Sequence, residues 1–435
     1  MKIYLDSIGC RLNQSEIETY ARQFRAAGHT LVPSAEQADL VVVNTCAVTS
    51  AAVSDSRQKI RQAARSGDGQ IVATGCWVTL HPQEAAALPR VTRVVPNASK
   101  DRLVADLLGV SSEIFDREPL EREPVPGGRA RTRAFIKAQD GCDNRCTFCV
   151  TTIARGPGVS RTVPQVLADI RAARRETPGA RHGAHEIVLT GVHLGSWGQD
   201  FTPPSHLRHL IQAILQETGV ERLRLSSLEP WDLYADFFAL WQDPRLCRHL
   251  HLPLQSGCAA TLRRMARKTS PSTFAALVAE ARAAIPGVAI TTDVIVGFPG
   301  ESEAEFADSL EFVRQMRFAG GHVFTYSARP GTAAARMPSQ VPHPVRKERN
   351  ACMRAAFAEA SVAYRKDFVG TVLPVLWESA RPLQHATWEL EGLTDNYLRV
   401  TAHAREPLYN QVTPVRLYKT TPTGLVGTID EVCFL

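Results

Sequence analysis

Three cysteines, Cys142, Cys146 and Cys149, stand four and three residues apart in the run Q-D-G-C-D-N-R-C-T-F-C-V, residues 139–150. A thiolate is a soft ligand suited to zinc and to iron–sulfur clusters. A structural zinc site takes four protein ligands, and no fourth Cys or His lies close to this run. A cubane cluster held by four cysteines is likewise closed. Three thiolates leave one iron without a protein ligand, open to a substrate or cofactor. Free thiols and a zinc site are the competing readings, and the ligand count weighs against zinc. The start of the chain, M-K-I-Y-L-D-S-I-G-C, lacks the apolar core of an export signal, so disulfides are not expected.

A second set of cysteines has the same arithmetic. Cys10, Cys46 and Cys76 each come just after a short apolar run, at Ile3–Ser7, Leu40–Val43 and Ile71–Thr74. Segments of helical character lie between, around 14–27 and 52–64. Strand–helix–strand alternation predicts a parallel sheet, and such sheets collect ligands beyond the carboxyl ends of their strands. One cysteine at such a place reads as a buried structural thiol. Three at equivalent places read as a shared metal site, again with no evident fourth ligand.

The elements that must position these residues fall into three blocks. The chain has 435 residues, 44% of them hydrophobic and 22% charged, which suits a globular protein of two to four domains. No run of about 18 apolar residues offers a membrane span, and a cytoplasmic protein is expected. Residues 1–112 form the α/β sheet domain that carries the second triad. Residues 113–132, rich in Pro, Gly and charge, read as a linker. Residues 133–366 alternate strand and helix six times, which predicts a partial (β/α)6 barrel with its site at the carboxyl ends of the strands. Expected strands are 134–138, 186–192, 222–227, 249–254, 289–296 and 321–326, with helices at 163–176, 207–217, 271–284 and 302–316. Residues 367–435 read as five short strands, a small β-barrel of the kind that binds RNA.

The net charge of +6 permits a nucleic-acid partner without requiring one. Basic residues gather at Arg129, Arg131, Arg133, Lys137, Arg145, Arg155 and Arg161, and again at Arg263, Arg264, Arg267 and Lys268. Arg155, Arg161 and the 263–268 group are the candidates for RNA phosphate; a solvated charged face competes with that reading.

The C-x-x-x-C-x-x-C spacing, with Phe148 before the last cysteine, resembles the signature of the radical S-adenosylmethionine (SAM) enzymes. G-C-R-L-N-Q-S-E (Gly9 to Glu16), V-N-T-C-A-V-T (Val43 to Thr49) and T-G-C-W-V (Thr74 to Val78) resemble the N-terminal domain of the methylthiotransferases within that superfamily. Trp77-Val78 departs from the Tyr-Ala usual there. The last block resembles the TRAM domain, an RNA-binding appendage. The resemblance implies two [4Fe-4S] clusters, one on Cys142, Cys146 and Cys149 and one on Cys10, Cys46 and Cys76. It implies SAM on the open iron of the first, cleaved by one electron to a 5′-deoxyadenosyl radical. It lays SAM across strand ends from Gly191 through Glu229 and Gln255 to Gly297, beside Phe148. It further implies a tRNA anticodon loop as substrate, an electron donor and a sulfur source.

Three substrate branches follow from the same resemblance. T-G-V-H-L-G-S-W-G, residues 190–198, resembles the branch acting on threonylcarbamoyl-adenosine, and Arg329 in A-R-P-G-T suits the tRNA branches. The alternatives are isopentenyl-adenosine of tRNA and an aspartate of a ribosomal protein. A metal-stabilised RNA-binding protein without chemistry is the reading from another class. His193, His251 and His322 read as rim or packing residues, and Cys247, Cys258, Cys352 and Cys433 as buried thiols.

Overall fold

The structure, a computed structural model, describes residues 1–111, 115, 132–174, 183–384 and 386–429. The expected linker lies almost wholly outside the described residues, as do Arg129, Arg131 and Cys433.

The N-terminal sheet holds β1 (Lys2–Ser7), β2 (Thr30–Leu31), β3 (Leu40–Thr45), β4 (Gln70–Gly75) and β5 (Val91–Val95). All pairings are parallel, in the order β2-β1-β3-β4-β5. Every residue of β3 is buried. Leu40 and Val42 face one core, Val41 and Val43 the other. Burial on both faces is why the strand reads as a continuous apolar run, the habit of parallel sheets covered by helices. β2 and β5 were not expected: β2 is two residues long, and β5 carries exposed Thr92 and Arg93 that break its apolar signal. The three strands followed by cysteines, β1, β3 and β4, are immediate neighbours, so their carboxyl ends share one edge.

The central block contains β6 (Arg133–Lys137), a two-residue ladder of β7 (Gln139–Asp140) with β8 (Val159–Ser160), then β9 (Glu186–Thr190), β10 (Arg222–Leu225), β11 (His249–His251), β12 (Ala289–Val296) and β13 (Gly320–Thr325). Two parallel three-stranded sheets, β6-β9-β10 and β11-β12-β13, meet through a parallel bridge between Ser227 and His251. Six strands in sequence order make an incomplete barrel. β11 is shorter than expected because Pro253 has no N–H to donate to a ladder. The helix at Glu303–Met316 starts as expected on Ser302, whose hydroxyl accepts from the Glu305 N–H at 3.2 Å in a reciprocal capping box.

A 24-residue helix, His343–Lys366, leads from the barrel to the last block and was not anticipated. β14 (Val372–Pro382), β15 (Trp388–Thr394), β16 (Arg399–Ala404), β17 (Val412–Thr420) and β18 (Leu425–Ile429) then close into a five-stranded barrel around Trp377, Leu390 and Val415. The turn between β15 and β16 docks on the central block. Arg222 and Arg224 donate to the carbonyls of Leu393 (3.2 Å) and Asp395 (2.8 Å), and Arg248 grips the Asp395 carboxylate at 2.6 and 3.0 Å. No helix among the described residues is long and apolar enough to cross a membrane.

Candidate active site

The strand ends bring Cys10, Cys46 and Cys76 to the wall of one cavity of about 880 Å³. Cys46 and Cys76 are buried and Cys10 is exposed. Gly9, at φ +103°, lets its loop approach Cys46; a Cβ there would lie 2.6 Å from the Cys46 sulfur, so a side chain is excluded by contact as well as by conformation. Burial pushes the Cys46 thiol up to about 11. Such thiols bind as thiolates only beside compensating positive charge, which iron would supply. No group of three or more His, Cys, Asp or Glu side chains among the described residues forms a single-metal-ion site. A four-iron cube is broader than one ion, and three cysteines on neighbouring strand ends fit it without converging on a point.

Two asparagines tie this triad to the other. Asn97 donates to the Cys76 sulfur at 3.6 Å and to the carbonyl of Ala154 at 2.8 Å. Asn13 donates to the carbonyls of Ile8 and Thr45, while its Oδ1 accepts from Arg155 at 2.7 Å and from the Cys10 thiol at 3.6 Å. Ala154 and Arg155 belong to the short helix Thr151–Arg155 that directly follows Cys149.

Cys142, Cys146 and Cys149 sit half-buried on the loop after β7. The loop is closed by Cys149 N–H to Cys146 O at 3.1 Å and Cys142 N–H to Gly156 O at 3.0 Å. Phe148 packs edge-on to Phe298, 6.4 Å between ring centres. Ala334 N–H bonds the Thr147 carbonyl at 2.9 Å, which seats the Arg329 loop against the cysteines. The Arg329 Nη2 is buried without a partner among the described residues.

Around that loop lie the other expected residues. Gly191 follows β9 against Gln139. Glu229 follows β10, both of its oxygens engaged by Arg267. Gln255 holds the left-handed conformation at φ +72° between Asp293 and Ile295. Gly297, at φ +69°, donates to Glu301 at 2.8 Å. Sequence reasoning read His193 as a rim or packing residue. It is buried, with Nε2 2.6 Å from Asp232 and Nδ1 3.3 Å from Asn144. Burial alone would lower its pKa, but Asp232 and the Cys142 sulfur outweigh this and raise it to about 10. The Gln139 carbonyl oxygen fixes its backbone N–H at 2.9 Å. Only its place after a strand end could have signalled this role.

The expected RNA contacts divide. Arg155 is a correction: its side chain is 2% exposed, between Glu16 at 3.1 Å and Asp140 at 2.9 Å. Arg267 is another, 1% exposed, on Glu229 and 4.4 Å over the Trp231 ring. Their carboxylate partners are distant in sequence, so the charge run could not reveal them. Arg161 is paired with Asp169 and Arg264 with Glu305. Arg263 and Lys268 are exposed. Cys247 and Cys258 are buried as expected, but Cys352 is exposed.

Residues 2–96 match Uncharacterized protein family UPF0004, and residues 136–313 match the Radical SAM superfamily. A threonylcarbamoyladenosine tRNA methylthiotransferase, MtaB, of Bacillus subtilis is 35% identical over 425 residues, covering 95% of this chain and 93% of that protein. The protein of the same name from Thermotoga maritima is 37% identical, covering 86% of each. A tRNA-2-methylthio-N(6)-dimethylallyladenosine synthase of Frankia alni is 36% identical, covering 85% of this chain and 76% of its own. Among solved structures, the radical SAM methyltransferase TsrM from Kitasatospora setae superposes with a TM-score of 0.58 at 14% identity, covering 77% of this chain and 75% of its own, a likeness of fold. With the two cysteine triads on adjoining domains and relatives of this identity along nearly its whole length, the chain belongs to the radical SAM methylthiotransferase family.

Proposed function

We propose that this protein adds a methylthio group to carbon 2 of threonylcarbamoyl-adenosine beside the anticodon of tRNA. One observation carries the reading: Cys10, Cys46 and Cys76 open into the same cavity as Thr190, Gly191, Ser226 and Ser227 at the barrel strand ends. A sulfur-delivering site must face the place where a carbon is activated, because a C–H bond without acidity or a leaving group yields only to a radical. When bound, the two [4Fe-4S] clusters and SAM supply that sulfur and one-electron chemistry.

The chain's residues hold, orient and shield. In this reading Cys142, Cys146 and Cys149 hold the first cluster, and Cys10, Cys46 and Cys76 the second. Phe148, Gly191, Glu229, Gln255 and Gly297 line the SAM seat. Glu229 keeps lone pairs free beyond its two bonds to Arg267, since a carboxylate has about four. Arg263, Lys268 and the C-terminal barrel hold tRNA. An electron donor and a sulfur source complete the cycle, which we place in the cytoplasm.

Identity does not separate the threonylcarbamoyl from the dimethylallyl relatives, at 35–37% against 36%. The loop at 190–198 favours the first. The test is mass spectrometry of nucleosides from bulk tRNA, with and without the gene. Loss of the methylthio form with accumulation of threonylcarbamoyl-adenosine is expected. An unchanged profile, or loss of the methylthio-isopentenyl form instead, overturns the assignment.

A further inference from the structure

The cavity between the domains carries an unbalanced charge. Its walls include Arg11, Arg155, Arg365 and Arg399 against a single carboxylate, Asp293, which His251 already meets at 3.3 Å. Arg155 is spent on Glu16 and Asp140. Arg11 is different. It stands one residue after Cys10, and its Nη2 donates at 3.1 Å to the hydroxyl of Tyr397, a residue 386 positions away.

Tyr397 is held as a fixed group. It has φ +65°, a conformation that a bulky side chain adopts only where its surroundings impose it. Its ring stacks on His249 at 4.4 Å with an 11° tilt, and the Arg224 guanidinium lies 5.1 Å from the ring centre. Arg248 clamps neighbouring Asp395. The phenol oxygen accepts from Arg11 and Arg133, and its proton finds no acceptor among the described residues. A guanidinium and a phenol O–H side by side can bond the two oxygens of a carboxylate.

The two substrates named for the relatives differ in this respect. Both are N6-substituted adenosines, but the threonylcarbamoyl group ends in a carboxylate and the dimethylallyl group is hydrocarbon. We propose that Arg11 and Tyr397, from the first and last domains, form a subsite for the substrate's carboxylate and so select the threonylcarbamoyl base. The proposal rests on the methylthiotransferase reading above and adds the residues that choose the substrate. It also gives the C-terminal barrel a second task, since its β15–β16 turn walls the substrate cavity.

The test uses the full chain with both clusters reconstituted and three anticodon stem-loop RNAs, bearing threonylcarbamoyl-adenosine, its methyl ester or dimethylallyl-adenosine. The ester keeps shape and hydroxyl but loses the charge. The wild type is expected to bind the acid at least about tenfold more tightly than the ester, the scale of a charge-assisted hydrogen bond. The acid-to-ester ratio, in Kd and in KM, should collapse toward one in Tyr397→Phe and in Arg11→Gln. Tyr397→Phe keeps the stacked ring and lies far in sequence from the cysteines, so it decides the matter if Arg11→Gln loses iron. Equal affinity of the wild type for acid and ester, or a full ratio retained in Tyr397→Phe, overturns the subsite while leaving the reaction standing. A wild type that methylthiolates only a dimethylallyl stem-loop overturns both.

Discussion

Replacing Arg155 by methionine removes a cation that touches carboxylates of both domains and reaches toward the second triad. Its guanidinium meets Glu16 at 3.1 Å, Asp140 at 2.9 Å and Asn13 at 2.7 Å, with 2% of the side chain exposed. Lys100 remains, 2.6 Å from Glu16 and in contact with Asp140, and Lys137 lies 3.7 Å from Asp140, but neither replaces the bonds of the buried guanidinium. Breaking a buried pair costs about 3–5 kcal/mol, because a charge is left uncompensated. The expected effect is a fall of about 10²–10³ in amide exchange protection, the ratio about 3–4 kcal/mol implies. It should centre on residues 13–16 and 140–155. Hydrogen exchange by mass spectrometry under anaerobic conditions reads it directly. The pH dependence follows from Glu16. Burial would raise its pKa, but Arg155, Lys100 and Lys137 together hold it at about 2, below the ordinary 4.5. A depressed carboxylate stabilises the fold fully above its unfolded value. That contribution fades as pH falls from about 4.5 to about 2. The wild type should lose protection at this junction across that window, and the variant should start from a lower plateau. Protection within about threefold of wild type in Arg155→Met would refute the view that this cation fastens the two domains.

Other expectations are simpler to check. Cys46→Ala should halve iron and acid-labile sulfide after reconstitution, with Cys149→Ala removing the other half; equal iron in all three proteins would overturn the two-cluster assignment. Gly297→Ala should destabilise the barrel by about 1–3 kcal/mol, since φ is +69° and a Cβ would run into the Arg346 side chain, and a urea midpoint measures it. Arg263→Ala and Lys268→Ala, at exposed positions, should each reduce the slope of log K for tRNA against log salt by about one phosphate contact. Arg267→Met should instead alter the cluster loop, because its guanidinium lies on Glu229 and 3.7 Å from the Cys146 sulfur.

What was legible in the chain was whatever depends on neighbours in sequence. The three-residue and four-residue spacings of Cys142, Cys146 and Cys149 stay within one loop, and the five strands of the last barrel carry their own alternation. Even the placing of Cys10, Cys46 and Cys76 along one sheet edge followed from a local rule, because each thiol stands past the end of a strand and the three strands prove adjacent. The junctions were not legible, and the reason is physical. Arg155 in a basic run is indistinguishable from an RNA contact until Glu16 and Asp140 are seen to neutralise it. His193 looks like a loop residue until Asp232, 39 positions on, takes its Nε2. Tyr397 belongs by sequence to the last barrel, yet its hydroxyl meets an arginine beside the first cysteine of the chain. In each case a charged or polar group is balanced by one far away in the sequence. Such balance leaves no periodicity, since one residue on each side suffices. Local motifs are therefore legible in a chain of this kind, while contacts such as those of Arg155 with Glu16 and of Arg11 with Tyr397 appear only once the domains are seen together.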